Sequence, residues 1–156
     1  EMTSSLVGSE MCIRDSYSGA FIGRYEDKVE NQFYWYIRPQ ETGNKTDVRW
    51  LTLLDSGGLG VKITGLQPIS FSALHFSPED LDPGLTRKLQ HTIDIVPQKN
   101  IFLHVDLKQR GLGGDNSWGM YPHNEYRLLD KKYTYSYMIE LVEKGSDKND
   151  YLNSRK

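Results

Sequence analysis

Ile101, Leu103, Val105 and Leu107 alternate one for one with Phe102, His104, Asp106 and Lys108. Tyr133, Tyr135, Tyr137, Ile139 and Leu141 alternate in the same way with Thr134, Ser136, Met138 and Glu140. A period of two puts each set on its own face of an extended chain, whereas a helix would scatter both sets around its circumference. Such lengths of strict alternation predict antiparallel strands with one covered face. Shorter stretches agree. Leu59, Val61 and Ile63 oppose Lys62 and Thr64, and Ile69, Phe71 and Ala73 oppose Ser70 and Ser72. In VRWLTLL, Val48, Trp50, Thr52 and Leu54 are predicted to share a face. Phe33 to Ile37 is a strand-like aromatic run that Pro39 ends.

Turn chemistry separates these segments. Thr42-Gly43-Asn44, Ser56-Gly57-Gly58 and Gly111 to Gly114 supply residues that tolerate positive φ. Ser77-Pro78-Glu79-Asp80 reads as a helix start, with a capping serine, a first-turn proline and two acids. Pro83 and Gly84 should keep that helix short. Lys144 to Lys156 is polar and aperiodic, as expected of a frayed tail. The predicted class is all-β, an antiparallel β-sandwich rather than a closed barrel.

Length and charge narrow the partners. The 156 residues suit one domain, and a net charge of -2 gives no basic excess for nucleic acid. No run is long and apolar enough to span a membrane, and the acidic start lacks the apolar core of a secretory signal. The single cysteine, Cys12, permits no internal disulfide. That fits a reducing compartment, and a cytoplasmic location is expected.

Residues 1–16, EMTSSLVGSEMCIRDS, have neither helical nor strand period, so no ordered element is expected there. The run SSLVGSEMCIRDS also resembles strings found where sequencing-adapter read-through has been joined to a gene fragment. The expected organisation is therefore a non-native or disordered leader over 1–16, a β domain over 17–144 and a polar tail over 145–156.

The chemistry-bearing candidate is Gly111-Leu112-Gly113-Gly114-Asp115-Asn116-Ser117-Trp118-Gly119, which follows the strand at 101–107. Four glycines with Asp115 and Asn116 form a tight loop from which Trp118 emerges. An indole on a stiff loop can stack on the slightly positive C–H face of a sugar ring. The commoner use of such a residue is to cap the core, and residue types alone leave both readings open. The glycine spacing fits neither a nucleotide-binding loop nor a P-loop, since no Lys-Ser/Thr pair follows. A second polar loop, Tyr36 to Asn44, precedes Asp47, Arg49 and Trp50, and it could face a ligand or satisfy its own backbone. His104 and Asp106 could begin a metal site, but His75, His91 and His123 are scattered and a solvated strand face is the simpler reading. No GxSxG elbow and no usable cysteine nucleophile are present. Paired carboxylates are defined by a distance that sequence does not give.

From Ser18-Gly19-Ala20-Phe21-Ile22-Gly23-Arg24-Tyr25 to Leu141 the chain resembles the C-terminal domain of family-two β-galactosidases. The marks are YIRPQETGNKTDVRW, FSALHFSPEDLD and LKQRGLGGDNSWG, in the family's order. In some relatives this region is a separate small chain. The resemblance implies part of a galactose-mutarotase-like sandwich in an enzyme that hydrolyses β-galactosides such as lactose with retention. It implies that the catalytic glutamates, and the ligands of the magnesium and sodium that serve the active site, lie outside this chain. No cofactor is then expected on the chain, and the fragment alone is expected to be inactive. Trp118 is implied to stack on the glucose or acceptor side, with Gly113, Gly114, Asp115, Asn116 and Ser117 shaping its loop. The implied partners are a β-galactoside or glucose, the barrel domain or large chain of the enzyme, and an oligomer of the full enzyme. A free-standing carbohydrate-binding module and a purely structural sandwich are the competing readings. The enzyme fragment should leave an apolar sheet edge uncovered, the module should be closed, and the structural sandwich should bury Trp118.

Overall fold

The computed structural model of the chain describes residues 5–12, 22–34, 42–82, 91–111, 113–116 and 118–144. All of Tyr36 to Glu41, Pro83, Gly84, Ser117 and the tail at 145–156 lie outside them. Six strands dominate: β1 (Ser5–Cys12), β2 (Ile22–Lys28), β3 (Lys45–Leu54), β4 (Leu59–Leu74), β5 (Phe102–Asp106) and β6 (Tyr137–Glu143). They form one antiparallel sheet of order β2-β1-β3-β4-β5, with β6 also paired to β4.

The all-β expectation holds as a mostly β chain with a single antiparallel sheet. The two alternating stretches at 59–63 and 69–73 belong to one strand, β4. β3 runs along both halves of it, while β6 pairs with Leu59–Gly65 and β5 with Ser70–Leu74. At the junction a side chain on Gly65 would collide with the Gln67 carbonyl. The freed backbone is taken up by Ser136, whose carbonyl accepts from Leu66 N–H at 3.0 Å and from Gln67 Nε2 at 3.1 Å.

That junction corrects one predicted face. The β3–β4 register shifts between Val48 and Trp50, so Val48 packs with Leu51 and Ile63, not with Trp50, Thr52 and Leu54. A one-residue slip in pairing sends every later side chain to the opposite face. The main core is Val29, Val48, Leu51, Ile63, Ile69, Phe71 and Ala73, closed by Ile101, Leu103 and Val105. The alternation predicted along 101–107 thus does put its odd positions inward. A second cluster joins Phe33, Leu74, Phe76 and Ile95, with the Phe33 and Phe76 rings 4.5 Å apart.

The expectation of no ordered element in 1–16 is corrected by β1, which lies between β2 and β3 and pairs with both. Backbone pairing needs only an extended chain with free N–H and C=O groups, so it does not require alternating side chains. The missing pattern shows instead as register shifts on both sides of β1.

The local signals behave as their chemistry dictates. Gly43 and Gly58 have φ of 69° and 86°, and Gly58 N–H donates to the Asp55 carbonyl at 3.0 Å in the β3–β4 turn. The short helix α1 (Pro78–Leu81) starts in a capping box. Ser77 N–H donates to Asp80 Oδ2 at 2.7 Å, and Asp80 N–H to Ser77 Oγ at 3.2 Å.

Candidate functional site

Between β5 and β6 the chain leaves the sheet, and this excursion carries the glycine-rich motif. Its neck is closed by Gly111 N–H donating to the Tyr126 carbonyl at 2.7 Å. Glycine is required there because a Cβ would lie 2.8 Å from Tyr126 Cβ. A 3-10 turn over Asn124–Tyr126 stiffens the returning limb, and Arg127 Nη1 donates to Asn124 Oδ1 at 3.1 Å. Arg127 and Arg110, one from each limb, sit 4.9 and 5.8 Å from the Tyr121 ring centroid, within cation–π range. Closer to β6, Tyr135 Oη donates to the Val105 carbonyl at 3.0 Å and fastens the excursion to β5.

Trp118 stands beyond that neck and is 92% exposed, so it does not cap this chain's core. Its backbone N–H donates to Asn116 Oδ1 at 2.9 Å, an Asx-type turn that fixes the backbone at the indole's base. Gly114 packs so tightly that a Cβ would overlap the Met120 carbonyl. Gly113 has open space around it. The positive φ of the loop falls at Gly119, at 90°, and not at Gly111, Gly113 or Gly114, where it was expected. Those three positions use the small volume of glycine or its exposure, not its left-handed conformation.

Asp115 makes the contact that sequence reasoning missed. His123 Nε2 lies 2.7 Å from Asp115 Oδ1, and both side chains are exposed. The hydrogen bond to Asp115 and its negative charge, with a smaller contribution from Glu125, hold the imidazole above its ordinary 6.5. An Asp and a His eight residues apart across a glycine-rich turn carry no periodic signal, so His123 looked like one of several scattered histidines.

The second polar loop is described only from Thr42. Thr42 Oγ1 accepts from Tyr34 N–H at 2.9 Å, and Lys45 Nζ donates to the Gly43 carbonyl at 2.9 Å, so this end satisfies its own backbone. Trp50 is buried and lies under Lys62, whose Nζ is 5.4 Å from the ring centroid. His104 and Asp106 stand on β5 opposite Ser72 and Ser70. Among the described residues no three His, Cys, Asp or Glu side chains converge as a metal site.

The sequence of this chain has recognisable relatives. Residues 8–139 match the family model described as Beta galactosidase small chain. The chain is 35% identical over 127 residues to a Beta-galactosidase of Priestia megaterium, covering 81% of this chain and 12% of that protein. It is 36% identical over 135 residues to a Beta-galactosidase of Streptococcus thermophilus, covering 85% and 13%. A third, from Halalkalibacterium halodurans, is 32% identical over 123 residues, covering 78% and 12%. The chain therefore spans about an eighth of the length of the relatives it matches.

Proposed function

The chain belongs to the beta galactosidase small chain family, and from that membership we propose that it serves as part of the C-terminal β-sandwich of a β-galactosidase acting on terminal β-D-galactosides such as lactose. The bond-breaking groups, an acid/base and a nucleophilic glutamate working through a covalent galactosyl-enzyme with retention, belong to the rest of the enzyme. The same reading assigns the ligands of magnesium and sodium to the rest of the enzyme. The chain's contribution is Trp118, whose indole stacks on the glucose or acceptor side.

The observation that carries this reading is the 92% exposed Trp118 on a braced loop. A residue with so little cover in its own chain, yet with its backbone fixed by Asn116, is built to meet something outside. A flat ring supplies area and a favourable quadrupole to a pyranose face but no proton transfer. Its loss should therefore weaken acceptor binding without abolishing cleavage. The partner reading is supported by β6, whose Ile139 and Leu141 are exposed on the same side of the sheet as the core. A second layer supplied by the remainder of the enzyme would complete a sandwich, whereas a free-standing sugar-binding module would need no such layer.

The test is Trp118→Ala in the enzyme completed with its remaining sequence. The expected result is a several-fold loss of affinity for glucose as acceptor, and a lower ratio of transfer to hydrolysis product, with release of a good leaving group less affected. Unchanged acceptor affinity and product ratio would refute the platform.

A further inference from the structure

We propose that His123 is a positioning residue: through Asp115 it holds the loop that carries Trp118, and its protonated form is the engaged one. The geometry is specific. Asp115 and His123 lie on either side of Trp118, and their side chains meet at 2.7 Å. The bond thus joins the two ends of the segment in which Trp118 lies. Within that loop Asn116 takes the Trp118 amide at 2.9 Å, Gly114 is pressed against Met120, and Gly119 turns the chain at positive φ. His123 opens the 3-10 turn at Asn124–Tyr126, whose carbonyl at Tyr126 accepts from Gly111 and closes the neck. One imidazole therefore links the far side of the loop to its base.

The charged groups that act on His123 are Asp115 across the loop and Glu125 in the turn beside it, both acidic. A cationic imidazole makes a charge-assisted hydrogen bond to the Asp115 carboxylate, and a neutral one makes a weaker bond. The brace is complete when His123 is protonated and loosens as pH rises through its elevated pKa. The contact is exposed, so the effect on loop order is modest and screened by salt. The consequence for sugar binding rests on the platform reading of Trp118; the coupling of His123 to Trp118 does not.

The experiment follows the 15N-labelled full chain by NMR from acid to alkaline pH, as wild type, His123→Gln and Asp115→Asn. In the wild type the His123 ring resonances are expected to titrate above 6.5, and the Trp118 amide and indole signals to move with the same midpoint. In Asp115→Asn the His123 midpoint should fall back toward the ordinary value and the Trp118 signals should no longer follow it. In His123→Gln the inflection at Trp118 should vanish. A Trp118 that shows no inflection at the His123 midpoint, or keeps it in His123→Gln, overturns the proposal. Glucose titrations of the enzyme completed with its remaining sequence, carrying the same substitutions, separate the two readings. Weakening by about two- to five-fold above the His123 midpoint, absent in His123→Gln, is expected if the platform operates. Glucose shifts that survive Trp118→Ala would refute the platform while leaving the coupling to the pH titration.

Discussion

Ile139 stands directly opposite Ile63 in the β4–β6 pair, yet Ile63 is 3% exposed and Ile139 60%. Paired residues share a face, so the difference marks where the cover over that face runs out. The next pair repeats it: Val61 is half-buried, and Leu141 is 90% exposed. An apolar strand face left open in this way promotes association. The chain is expected to self-associate with rising concentration by light scattering. Leu141→Lys should reduce this without lowering Tm, because Leu141 contributes almost nothing to this chain's core. A monodisperse wild type at all concentrations would remove the argument for a covering layer.

Core truncation should behave oppositely. Leu51 is fully buried in the main cluster, so Leu51→Ala is expected to cost about 2–5 kcal/mol in a denaturant titration. A loss below about 0.5 kcal/mol would mean the sheet packs differently from that cluster.

Thr52 offers a gain. The residue is 1% exposed and its Oγ1 has no hydrogen-bond partner among the described residues. A buried hydroxyl without a partner carries a desolvation penalty of about 1–3 kcal/mol, so Thr52→Val, of similar shape, should raise stability by roughly 1 kcal/mol. Destabilisation by the same substitution would reveal a partner for the hydroxyl.

The capping box on α1 predicts an acid-side dependence. The Asp80 carboxylate accepts from the Ser77 amide, and this holds its pKa below the usual 3.8, helped by Gln98 and the Ser77 hydroxyl and opposed by slight burial. A lowered folded pKa contributes stability above the unfolded value, and that contribution is lost as pH falls through the folded value. Wild type should therefore exceed Asp80→Asn in Tm at neutral pH, with the gap closing below about pH 4 as the carboxylate protonates. A gap that persists undiminished into strong acid would assign the effect to shape and not to charge.

Deleting residues 1–16 should lower Tm by several degrees, because β1 pairs with both β2 and β3 and its loss leaves two ladders open. An unchanged Tm would mean that the sheet does not depend on that segment, as the sequence pattern alone suggests.

How much could be read in advance differs from element to element. The alternation at 101–107 was enough to fix which residues of β5 face the core, because side-chain direction follows from a period of two and nothing else. The Ser77 capping box and the turns at Gly43 and Gly58 were equally legible, since each is settled within a few neighbouring residues. The inward face of β3 was not. It depended on a register shift opposite residues 65–68 of β4, which lies in another strand. β1 was invisible for a related reason: it is held by the backbones of two strands that come later in sequence. At the site, the glycine-rich loop and its tryptophan stood out by composition, and the likeness of that motif to a sugar-handling family pointed the same way. His123 did not stand out, because an ion pair exists only once the fold brings its partner to hydrogen-bonding distance. The sequence by itself determined strand character, the turns and the cap, all of which are local, and it left the exposure of Trp118 open. Only the tertiary structure decided register, the place of β1, the uncovered side of β6 and the brace on Trp118. Each of these depends on distances between residues that the chain order does not set.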